Sequence, residues 1–90
     1  MKAPLLVKPP EDIGVVVQKS LQQFRGREVG LKEVLGYALR LLSDYKKFDS
    51  VASKDVQREW MRVSSTAVKT ELVRLGCRLD VVKQTVVFIS

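Results

Sequence analysis

Histidine is absent from the chain, and cysteine occurs once, at Cys77. Without an imidazole, the commonest acid–base and nucleophile-activating group is missing. One cysteine can form no internal disulfide and no Cys/His zinc site within the chain. Cys77 follows Gly76 and reads as a small packed hydrophobe, since no histidine is present to activate its thiol. Glycine-rich phosphate loops, internal repeats and low-complexity segments are missing as well. No uncharged apolar run approaches the roughly 18 residues a membrane span requires. The opening "MKAPLLVKPP" has only three consecutive apolar residues between charges, too few for a secretory signal. The nearest carboxylate pairs, Asp44/Asp49 and Asp55/Glu59, read as helix caps or surface partners of neighbouring basic residues. These shortages predict a non-enzyme without cofactor or metal. They also predict an intracellular location, in cytoplasm or nucleus/nucleoid, with no membrane partner.

What the chain does have is a balanced supply of core and surface. It is 90 residues long, 46% hydrophobic and 29% charged, a composition of globular rather than disordered proteins. A chain of this size buries only about 60–65% of its unfolded surface, so one core claims nearly all its apolar residues. The net charge is +6. It is spread along the chain as +2 over residues 1–30, +1 over 31–50, +2 over 51–76 and +1 over 77–90. A positive field attracts polyanions, but there is no basic tail to concentrate it.

The hydrophobic pattern divides the chain. "PLLVKPP" predicts an extended arm over residues 1–10, because residues before proline avoid the helical region. Residues 11–90 then form a single domain. A first helix begins near Pro10–Asp12, with Ile13, Val16, Val17, Leu21 and Phe24 on one face, and "RGREVG" ends it. A second helix runs from Leu31 to about Lys47. Its apolar stripe of Leu31, Val34, Leu35, Ala38, Leu39, Leu42 and Tyr45 is widened by Leu41. Gly36 lies inside this helix at a cost of about 1 kcal/mol relative to alanine, a place where another helix could approach closely. "FDSVAS" reads as a connection, and Ser53 as the N-cap of a short helix over about Lys54–Arg62. Ser64 or Ser65 caps a further helix of about Ser65–Leu75, with Val68, Leu72 and Leu75 inward and Gly76 closing it. "LDVV" and "TVVFI" flank "KQ" as a hairpin of two β-branched strands.

Helix, turn, capped helix and β-ribbon is an order that resembles the winged helix-turn-helix superfamily. The likeness covers about residues 53–89. It is carried by Val63 and Ser64 at the turn, Val68 and Leu72 inward, Leu75–Gly76 at the helix end and a strand from Leu79. The sequence departs from the family at Arg62, where a turn glycine is usual, and at Gln57 and Arg58, where small or apolar residues are usual. The expected fold is thus mainly α with a small C-terminal β-hairpin, winged-helix-like. The resemblance implies that helix 65–75 enters a DNA major groove and turns Ser65, Thr66, Lys69, Thr70, Val73 and Arg74 outward. Lys69 and Arg74 would neutralise phosphates, Arg58 and Arg62 would clamp the backbone, and Lys83 would sit at the wing tip. Double-stranded DNA is the partner implied. No arginine or asparagine lies at the helix start, so phosphate binding is better supported than base readout.

A second expectation stays open beside it. The same fold could serve as a protein–protein interaction module or a subunit of a larger assembly. The broad apolar face of helix 31–47 and the uncharged strand 85–89 are the surfaces on which a protein partner or a second copy would dock.

Overall fold

The computed structural model describes residues 8–50 and 53–88. The chain is mainly helical, with a small antiparallel sheet near its C-terminus. In order it runs α1 (Ile13–Gln23), β1 (Glu28–Gly30), α2 (Leu31–Leu41), α3 (Tyr45–Ser50), α4 (Lys54–Arg74), β2 (Arg78–Asp80) and β3 (Thr85–Val87). The arm expected over residues 1–10 lies outside the described residues up to Val7; Lys8–Pro10 are irregular, and Pro10 is buried.

Helix α1 follows its sequence pattern: Ile13, Val16, Val17 and Ser20 are buried, and Phe24 seals its end. The buried Ser20 hydroxyl donates to the Val16 carbonyl, which removes the cost of an unpaired polar group. Asp12 does not cap its own helix with its side chain. Its carboxylate instead accepts the Ser43 N–H at 2.9 Å, tying the start of α1 to the end of α2.

The second helix is shorter than its pattern suggested. It stops at Leu41, where Leu42 turns to extended backbone, and α3 follows as a separate short helix. Leu42 is itself buried. The bend brings Tyr45 and Phe48 onto Trp60, with ring centroids 6.1 and 5.5 Å away. Phe48–Ser50, expected in a connection, are therefore helical.

The largest correction concerns α4. The sequence suggested a break at Val63–Ser65, but one 21-residue helix runs through it. Ser53 caps its start, its hydroxyl accepting the Val56 N–H at 3.4 Å. Neither Ser64 nor Ser65 is a cap. No glycine or proline interrupts the segment, and serine in a helix interior costs only about half a kcal/mol. Continuity places Trp60, Ser64, Val68 and Leu72 four residues apart on one buried stripe. This stripe packs on α1 and α2. The helix ends as expected at Gly76, with φ +99°. The Cys77 N–H returns to the Leu72 carbonyl and the Gly76 N–H to the Val73 carbonyl, both at 3.0 Å.

The hairpin is real but belongs to a larger sheet. Strand β1, in a stretch expected only to break helix α1, pairs with β3, giving the order β1-β3-β2 among the described residues. Val29 lies opposite Val86 in one pair and Leu79 opposite Val86 in the other. The turn is longer than "KQ". Val81 and Val82, expected in a strand, lie in it and are 77% and 94% exposed. The Asp80 carboxylate accepts the N–H groups of Val82 and Lys83 at 3.1 and 2.9 Å, the local bonding that makes aspartate a turn former. Strand β3 is central, so the expectation that 85–89 offers a free edge is overturned over Thr85–Val87; Phe88 follows the strand, and Ile89 lies outside the described residues.

Trp60 Nε1 and Ser64 Oγ are buried without a hydrogen-bond partner among the described residues. Removing an unpaired buried hydroxyl from a helix interior also improves helix propensity. Ser64→Ala is therefore expected to raise stability by about 1 kcal/mol in urea unfolding, whereas loss of an N-cap would lower it by about as much. Leu72→Ala, at a fully buried position of the same stripe, should cost about 2–5 kcal/mol.

Candidate nucleic-acid interface

The face of α4 opposite its buried stripe carries most of the residues expected from the sequence to form the site. Successive helical residues turn by about 100°, which sets Thr66, Thr70 and Val73 along the outward centre. Thr66 and Thr70 are exposed, and Val73 is 53% exposed. Lys69, half-buried, flanks the stripe on one side, continued toward the helix start by exposed Arg58 and Arg62. Arg74 lies about 140° around the helix from Lys69 and flanks the other side. Ser65 is half-buried and borders the stripe rather than facing outward.

Strand β2 completes this surface. Thr66, Lys69, Thr70 and Val73 line a shallow, mostly apolar groove of about 390 Å³ together with Leu79. In the sequence Leu79 marks only the start of a strand. No local signal marks it, because its place depends on the hairpin folding back beside α4. Lys83 is exposed in the hairpin turn, and exposed Arg78 lies where α4 passes into β2. The predicted residues thus fall into a cluster around Lys69, two arginines about two and three turns nearer the helix start, Arg74 on the far flank, and Lys83 on the turn.

Two of the arginines already have partners. Arg74 Nε donates to Glu71 Oε2 at 3.0 Å and its terminal nitrogen to Oε1. Arg62 Nε donates to Glu59 Oε2 at 3.2 Å and its terminal nitrogen to Oε1. Both pairs span three residues on one helix face. The arginine hydrogen bonds hold the Glu59 and Glu71 carboxyls below their ordinary range, and each guanidinium is raised in return. Exposed pairs of this kind contribute little stability, so a phosphate can displace the glutamate at small cost. Away from this face, burial pushes the Cys77 thiol up, in keeping with a packed, unreactive side chain.

With their pKa values lowered in the folded chain, Glu59 and Glu71 contribute stability at neutral pH that is lost as pH falls through the folded-state pKa, on the acid side of the ordinary glutamate range. A Glu59→Gln/Glu71→Gln variant should therefore melt below wild type at pH 7. The gap should close in thermal scans followed by circular dichroism once the pH is low enough to protonate both carboxylates in the folded chain.

No protein-family model matches the chain, and neither a curated protein nor a solved structure matches it.

Proposed function

We propose that this chain is a winged-helix module that binds duplex DNA through the outer face of α4 and the β2–β3 turn. The observation that carries the reading is the shared groove: Lys69 and the hydroxyls of Thr66 and Thr70 on α4 open onto the same surface as Leu79 of the hairpin. The order α1, β1, α2, α3, α4, β2, β3 with sheet order β1-β3-β2 supports the likeness to winged helices. There a helix runs straight into a two-stranded wing. The helix-turn-helix half of the likeness has no support at Val63–Ser65, because α4 is continuous there; any turn before the recognition helix lies upstream of Ser53.

In this reading α4 lies in the major groove, which admits a helix. Thr66 and Thr70 meet base edges, phosphates or thymine methyls. Lys69 and Arg74 reach phosphates on the two sides of the helix, Arg58 and Arg62 follow the backbone, and Lys83 contacts it from the turn. Affinity comes mainly from counterion release. Five such cations set a limiting salt slope of about −4.5. The role is regulatory or architectural, with little base readout.

One observation favours the second reading, a protein-docking module in a larger assembly. Val73, Val81 and Val82 are all large exposed hydrophobics, on the helix and turn that would meet the DNA. An apolar centre with a charged rim is also the make-up of protein interfaces.

Fluorescence anisotropy on a random-sequence duplex separates the two. Wild type should bind with steep salt dependence. Lys69→Ala/Arg74→Ala should weaken binding at least tenfold and reduce the slope by about 2, while Glu71→Gln should tighten it by freeing Arg74. Absence of binding at low salt by the folded protein would overturn the DNA reading and leave the docking module.

A further inference from the structure

Gly36 stands in the middle of α2, where it costs about 1 kcal/mol relative to alanine. Nothing in the packing of the described residues requires it: a Cβ built there meets none of their atoms within 4 Å. The residue instead lines an open groove of about 450 Å³ between α2 and the end of α1, whose walls include Phe24, Tyr37, Leu41, Glu33 and Arg40. Phe24 and Tyr37 meet edge to face at 5.2 Å, which keeps this wall firm. Leu41 is 39% exposed beside it. Glu33 and Arg40 are both exposed, and neither forms an ion pair among the described residues.

The spacing of these residues is self-complementary. Glu33, Gly36/Tyr37 and Arg40 follow one face of α2 at intervals of three to four residues. If a second α2 crosses antiparallel with its two-fold axis at Gly36–Tyr37, each Glu33 faces the other copy's Arg40, so the two contacts are identical by symmetry. The missing side chain at Gly36 is what lets the two helix backbones approach. The geometry points to a homodimer of this chain through α2, with the second copy's α2 in the Gly36 groove and two symmetric Glu33–Arg40 pairs closing it. This surface shares no residue with the α4–hairpin groove, so the inference does not rest on DNA binding. Two helices of eleven residues cover less than the about 1,200 Å² of a standard interface; the dimer is accordingly weak, with a dissociation constant of about 10 µM to 1 mM.

Sedimentation equilibrium over that concentration range tests it. Wild type should rise from 10.2 kDa toward twice that mass. Glu33→Arg and Arg40→Glu should each dissociate at least about tenfold more readily, a loss of about 1.4 kcal/mol. An equimolar mixture of the two should regain wild-type association, because the two arginines on α2 of one variant then face the two glutamates on α2 of the other. Net-charge repulsion predicts something different, since Arg40→Glu lowers the net charge and would strengthen association. Gly36→Gln should raise the melting temperature while abolishing the dimer, which separates loss of contact from loss of folding. A wild-type monomer throughout the range, an Arg40→Glu variant that associates as well as wild type, or a mixture with no gain overturns the proposal.

Discussion

The structure depends on burying one stripe of α4. Trp60, Ser64, Val68 and Leu72 recur every fourth residue, and a row with that spacing stays on one side of a helix for several turns. Helices α1 and α2 lie against this side, with Val16, Val17, Val34 and Ala38 almost wholly excluded from water. Each fully buried aliphatic side chain contributes about 1.5–3 kcal/mol. That is far more than the local preference of two serines for a turn, so the helix continues through Ser64 and Ser65. Ser64 enters the core with its hydroxyl unpaired, a local defect outweighed by the burial on either side of it.

The direction of α4 then sets the sheet. Its last turn closes over Gly76 and delivers Cys77 to the core, so β2 starts beside the helix that precedes it. Strand β3 returns from the Asp80 turn and lies between β2 and β1, where Val86 and Phe88 are buried. The Thr85 hydroxyl donates to the Glu28 carboxylate at 2.9 Å, and the Phe88 N–H reaches the Arg27 carbonyl at 2.8 Å. The terminal strand is thus held on both sides. What projects from the sheet is the turn, with Val81, Val82 and Lys83 exposed.

Charge on the outer face of α4 is tempered by the helix itself. Arg62 and Arg74 lie three residues after Glu59 and Glu71 and fold back onto them. Lys69 remains at the centre of the groove with two threonines, a valine and a leucine. Such a surface combines one cation and two hydroxyls with an apolar centre, which is what the proposed DNA reading and its protein-docking alternative both draw on. The α2 groove is different in kind, since it combines an open glycine with two oppositely charged residues that form no ion pairs among the described residues.

The sequence by itself determined the parts that local chemistry decides. The inward face of α1 followed from the spacing of Ile13, Val16 and Val17, the start of α4 from Ser53, and its end from a glycine that tolerates positive φ. The outward placement of Thr66, Thr70 and Val73 followed from the position of Val68 and Leu72 alone. The tertiary structure decided whatever rests on contacts distant in sequence. Serine favours a cap but costs only about half a kcal/mol in a helix interior, so packing on α1 and α2 could join the two expected halves of α4. Three residues are too few to display a strand period, so β1 exists because β3 offers it hydrogen bonds from 57 residues away. The bend at Leu42 and the position of Leu79 beside Lys69 arose in the same way, from a core and a sheet that local sequence does not encode.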